Sequence, residues 1–157
     1  MTLPHRSGNA LKPAEAWGRL RAGGRASAGL QGGELSMIDV RDSGIHGRGA
    51  FASAAIRQGQ TFHTAHLLAF DCSETEAINA TAVGAYVFYI EDCPGHTHDR
   101  VGLAMSPISF INHSRTASAA FKVDAASQTV TFTALRDIAA GEELTIDYGD
   151  FAAKLSL

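Results

Sequence analysis

From residue 37 onward the chain alternates apolar and polar positions in short runs broken by turn residues, a period that suits strands with one face in a core. Strands are predicted over 37–41, 50–52, within 59–70, over 86–90, 101–105, 121–124, 129–133 and 144–148. The run Tyr86-Val87-Phe88-Tyr89-Ile90 is aromatic and β-branched throughout and predicts a buried strand. Pro94-Gly95 turns it into 101–105. The alternating Thr129-Val130-Thr131-Phe132-Thr133 pairs with 121–124 as a hairpin through a turn at 125–128. One helix signal stands out. Ser73-Glu74-Thr75-Glu76 has the form of a capping box, and a short helix should follow it to about residue 83.

Residues 1–36 have another texture, rich in Gly, Ala and Arg, with little apolar periodicity. They read as a disordered tail, in which a short helix over 13–21 would set Trp17 and Leu20 on one side. The folded domain is therefore expected over 37–157. Many short strands with few short helices point to a mostly β fold of several small sheets and argue against a doubly wound sheet.

Length and composition agree with one domain, since the chain has 157 residues of which 45% are hydrophobic and 18% charged. No apolar run approaches the roughly 20 residues of a membrane span. The N-terminus lacks the pattern of a secretory signal, so a cytoplasmic address is expected. There, Cys72 and Cys93 should stay reduced and simply pack. The formal charge of −3 conceals an asymmetry. Residues 1–36 hold five basic and two acidic groups, +3, while residues 37–157 hold eight basic and fourteen acidic, −6. Such a domain favours a cationic partner over nucleic acid. His63 and His66, three apart, do not share a strand face, and Cys93, His96 and His98 fall at a hairpin tip. These incomplete sets predict no metal site.

Gly44-x-x-Gly47-x-Gly49 after a strand invites comparison with a dinucleotide loop, Asp71 serving as the ribose acid. That loop opens a full helix, however, and only 51–58 precede Gly59. A different pattern uses the same residues. Ile45-His46-Gly47-Arg48-Gly49-Ala50-Phe51-Ala52 is followed by Phe110-Ile111-Asn112-His113-Ser114 and then by Gly141-Glu142-Glu143-Leu144-Thr145-Ile146-Asp147-Tyr148-Gly149. In this order the three segments resemble a SET-domain protein lysine methyltransferase, of compact, bacterial-like type, over about residues 37–151.

The resemblance implies a SET fold in which the C-terminal segment crosses beneath the Asn-His-Ser segment like a pseudoknot. It implies S-adenosylmethionine as cofactor, held by His46, Gly47, Arg48, Gly49, Asn112, His113 and Tyr148. It implies transfer of a methyl group to a lysine of a basic protein segment, with Tyr148 as the catalytic, orienting hydroxyl. Tyr86, Phe110, Ile146 and Phe151 are the expected walls of the lysine pocket. A lysine has a pKa of about 10.4 in water. An apolar channel beside a sulfonium would favour the neutral, nucleophilic amine. Two departures are visible. Where many relatives continue with Cys and then Pro-Asn, this chain reads Arg115-Thr116-Ala117-Ser118, which predicts a lost polar contact near the cofactor. No cysteine-rich zinc segment follows Tyr148, so a homodimer or the N-terminal tail would have to complete the channel. A non-catalytic SET-fold module that binds cofactor or peptide is the alternative.

Overall fold

The computed structural model describes residues 37–96 and 99–149. The expected tail, its 13–21 helix, His98 and Phe151 lie outside the described residues. Among the described residues, nine strands form three sheets. β1 (Ile38–Asp42) and β2 (Arg48–Ala52) make an antiparallel pair. β3 (Thr61–Ala69), β4 (Val87–Glu91), β5 (Arg100–Ala104), β7 (Ala119–Asp124) and β8 (Thr129–Ala134) form a five-stranded sheet in the order β4-β5-β3-β8-β7. β6 (Asn112–His113) pairs in parallel with β9 (Thr145–Ile146).

Phe132 on β8 is the centre of the core. It is fully buried, and the rings of Phe62, Phe88 and Phe121 lie 6.3, 5.9 and 6.3 Å from it. Phe88 on β4 also meets Phe121 on β7 edge to face at 5.6 Å. The two outer strands of the sheet thus approach each other, so the sheet curls around its aromatic centre. On the other face, threonine hydroxyls pair across β3 and β8, Thr64 with Thr131 at 3.2 Å and Thr61 with Thr133 at 3.3 Å. This is the predicted alternation of apolar inside and polar outside.

The 121–133 hairpin forms as expected. Asp124 Oδ1 accepts from the amides of Ala126 and Ser127, and Gln128 takes φ 51° to close the turn. Strand 86–90 is shifted and only half buried. Tyr86 ends a 3-10 helix, and within β4 Phe88 and Ile90 point inward while Tyr89 is exposed.

The helix from Ser73 is the main local disagreement. α1 covers only Thr75–Asn79, with Glu74 as its N-cap and no side-chain cap bond. Glu74 instead turns its carboxylate back to the amide of Asp71 at 2.8 Å. The chain stops at Thr81, whose hydroxyl donates to Ile78 O and accepts from Val83 N, and restarts as the 3-10 helix Ala82–Tyr86. Gly84 permits the break, because a Cβ there would meet Asn79 Cα at 2.7 Å. Close packing of the two short helices overrides the capping signal.

Cys72 and Cys93, expected as free packing thiols, are joined in a disulfide with Cα atoms 5.9 Å apart. Topology brings the two thiols together. β3 and β4 both run antiparallel to β5 between them, so their C-terminal ends emerge at the same end of the sheet. The cysteines follow those two ends directly. With Cys93 in a disulfide, it is also no longer a candidate metal ligand.

Candidate active site

Three segments meet at the predicted site: the turn between β1 and β2, the chain through β6, and the C-terminal segment through β9. Asn112 and His113 pair with Thr145 and Ile146, and Ser114 N donates to Ile146 O at 3.0 Å. Just upstream, Glu143 bridges to Phe51, and Leu144 N donates to Ala50 O at 2.8 Å. The C-terminal segment is therefore bonded to β2 and to β6 in succession, in agreement with the crossing that the resemblance implied.

Asn112 sits at this junction. Its Nδ2 lies 2.8 Å from Glu143 Oε1, 3.1 Å from Ser43 Oγ, 3.2 Å from Arg48 O and 3.3 Å from His46 O. Four acceptors thus surround one amide NH2, while its Oδ1 makes no hydrogen bond among the described residues. That oxygen is left as an open acceptor. His46 and Arg48 contribute backbone carbonyls here. The Arg48 guanidinium turns to β1, reaching Val40 O at 3.1 Å and lying 3.7 Å from the Asp42 carboxylate.

The two motif glycines serve different ends. Gly47 has φ 50° with open space around it, so it answers a turn that L side chains rarely adopt. Gly49 lies against Glu143, and a Cβ there would fall 2.9 Å from Glu143 Cδ and 3.1 Å from Ser43 Cβ. Its missing side chain makes room for a carboxylate of the same chain.

Tyr148 follows β9. Its hydroxyl donates to Ile111 O at 2.6 Å, and its amide donates to His113 Nδ1 at 3.1 Å. The Asp147 carboxylate lies 3.7 Å from the same Nδ1. An ion pair there would need a proton on Nδ1, which would remove the acceptor. The shorter amide bond defines this state, so the ring proton is assigned to Nε2. Burial, and then the proximity of Tyr86, push the Tyr148 phenol up to about 12. Burial raises Tyr86 as well. The Tyr86 ring meets Phe110 edge to face at 5.5 Å. Tyr86, Phe110, the Ile111 carbonyl and Tyr148 thus form one half-buried aromatic group of the kind expected to line a pocket for an amine. Ile146 does not belong to it on the same terms. It is only 1% exposed and lies in the core, so it offers no open wall.

The departure at 115–118 does not leave a gap. Ser118 and Thr145 are both buried and bonded reciprocally: Thr145 N donates to Ser118 Oγ at 2.9 Å, and Ser118 N donates to Thr145 Oγ1 at 3.1 Å. Ser118 thus ties the 115–118 stretch to β9. Sequence reasoning also missed Ser43, Glu143 and the Ile111 carbonyl. Glu143 stood inside a recognised motif, and Ser43 carried only the weak signal of a turn residue before a glycine.

The curled β sheet thus carries a C-terminal segment that pairs with the Asn-His segment and ends at the half-buried Tyr148. The SET domain family model matches residues 47–149, and the chain belongs to that family. It is 30% identical over 115 residues to the H3 lysine-37 specific histone-lysine N-methyltransferase of Schizosaccharomyces pombe, spanning 73% of this chain and 75% of that protein. A Plasmodium falciparum protein proposed as a histone methyltransferase superposes with a TM-score of 0.53 at 16% identity, over 74% of this chain and 96% of that one. A polycomb repressive complex 2 of Chaetomium thermophilum gives 0.57 at 23%, over 76% of this chain but only 16% of that one. These two structural matches attest the fold. As a SET family member with this curated relative, the chain is a protein-lysine methyltransferase, and SET methyltransferases use S-adenosylmethionine.

Proposed function

We propose that the chain methylates a lysine in a basic, histone-like protein segment, with Tyr148 orienting the amine and Asn112 holding the cofactor. The fission-yeast relative, named for a histone H3 lysine, supports the substrate class, as does the −6 charge of residues 37–157. The observation that carries the reading is the Tyr148 hydroxyl bonded to Ile111 O at 2.6 Å beside Tyr86 and Phe110.

When bound, S-adenosylmethionine supplies an activated methyl group on a sulfonium. Residues of this chain do the rest. Asn112 presents an acceptor oxygen to the cofactor, and the turn around Gly47 brings main-chain groups close. The aromatic group encloses the lysine side chain and excludes water, which favours its neutral amine. A phenol near 12 stays protonated at neutral pH, so Tyr148 donates or aligns and does not take the lysine proton. The amine must therefore be neutral before transfer, and catalysis rests on alignment.

The test is transfer of labelled methyl from S-adenosylmethionine to histone H3 and to basic peptides, with Tyr148→Phe and Asn112→Ala at equal folded concentration. Wild-type transfer that falls sharply in both variants is the expected result. A folded wild type that binds cofactor but transfers nothing to any basic protein would sink the substrate class.

A further inference from the structure

The hydrogen bonds around Asn112 carry one step more, resting on the cofactor reading above. An asparagine amide has two ends of similar size, and only its surroundings choose which faces inward. Here Glu143 supplies the nearest and only charged acceptor among those that make the choice. Its Oε1 lies 2.8 Å from Asn112 Nδ2, and turning the amide over would set Oδ1 against a carboxylate and the carbonyls of His46 and Arg48. Glu143 is itself held by Ser43. The Ser43 hydroxyl donates to Glu143 Oε1 at 2.7 Å and accepts from Ile45 N at 2.8 Å and His46 N at 3.2 Å, while Ser43 N donates to Gly47 O at 2.9 Å. One hydroxyl thus ties the glycine turn to the carboxylate that orients the amide, and Gly49 leaves space for both.

We propose that Glu143 is a positioning residue for the cofactor: seated by Ser43 and admitted by Gly49, it fixes the Asn112 amide with its oxygen presented as an acceptor. The neighbouring Glu142 does different work. It accepts from Ala139 N at 2.9 Å and pairs with Arg136 at 2.6 Å, closing a surface turn. The two adjacent glutamates are therefore not interchangeable.

The experiment is calorimetric binding of S-adenosylmethionine to the full chain and to Glu143→Gln, Ser43→Ala, Ser43→Thr and Gly49→Ala, with melting temperatures and kcat at saturating cofactor. A glutamine at 143 can also donate to Asn112 Oδ1, which removes the carboxylate's share of the preference and leaves the carbonyls of His46 and Arg48 to hold the amide. Cofactor affinity should fall about tenfold or more, as loss of one directed hydrogen bond implies. The melting temperature should hold and kcat at saturation should change less than affinity. Ser43→Ala should weaken binding severalfold and Ser43→Thr, which keeps the hydroxyl, should restore it. Gly49→Ala should act like Glu143→Gln by displacing the carboxylate. Unchanged affinity in folded Glu143→Gln overturns the proposal, and so does a melting temperature that falls in step with affinity across the set. Should Glu143→Gln fail to fold, Ser43→Ala with unchanged affinity overturns it instead. If the wild-type chain itself binds no S-adenosylmethionine, the cofactor reading fails first and this inference with it.

Discussion

Tyr148 shows how one residue takes its chemistry from its place. In water its phenol would titrate near 10, whereas here burial and Tyr86 push it to about 12. Tyr148→Phe keeps the ring and removes the hydroxyl. It should lower kcat by roughly a hundredfold or more with little change in cofactor affinity, since alignment and not binding is lost. Single-turnover kinetics beside calorimetry would check this split. The same shift makes a stability prediction. The raised pKa favours the protonated phenol in the folded state, so its contribution is complete below pH 10 and is lost as pH rises through about 12. Denaturant unfolding from pH 9 to 12 should show wild type losing on the order of 2 kcal/mol more than Tyr148→Phe. Equal losses would show that the phenol does not titrate as described. Tyr148 was legible in the sequence because it ends a recognisable motif. Ser43 was not, because its role consists of bonds to residues up to 100 positions away.

At the scale of elements, the β6–β9 pair is only two residues long in each strand, too short to hold by its ladder alone. Side-chain bonds reinforce it. Ser118 and Thr145 fasten the end of the Asn-His-Ser segment to β9, and Leu135 N donates to Ser118 O at 2.9 Å, adding the end of β8. Ser118→Ala would leave the buried Thr145 amide without its acceptor, at a cost of about 1–3 kcal/mol. The melting temperature should drop by roughly 5 °C or more, by calorimetry. No change would mean that another acceptor takes over. Strand positions were readable because alternation survives in a one-sided sheet, as in β8 with Val130, Phe132 and Ala134 inside. The helix after Ser73 was misread because its capping signal is local, whereas Gly84 against Asn79 is a tertiary contact.

For the whole molecule, the disulfide and the charge balance matter most. The Cys72–Cys93 bond spans 21 positions and closes a loop that carries α1, the 3-10 helix with Tyr86, and β4. Chain-entropy arguments give a loop of this length about 3 kcal/mol. A reductant, or Cys72→Ser with Cys93→Ser, should lower the denaturant midpoint accordingly, while the wild type without reductant should show no titratable thiol. The acidic domain makes a second expectation. KM for a basic peptide should rise with ionic strength while kcat changes little, because screening weakens encounter before chemistry. A KM indifferent to salt would remove charge as the basis of substrate choice.

The mostly β character, the order of the strands along the chain, the three motifs and, through them, the family are written in the linear order of residues. These depend on alternation of side chains and on residue types at near neighbours, which a linear string records. Packing in three dimensions sets the rest: that two cysteines meet, that Ser118 bonds Thr145, that Ile146 lies in the core, and that Glu143 rather than Glu142 faces Asn112. Each depends on distances across strands far apart in the chain, which are set by how the sheets pack and cannot be read from spacing.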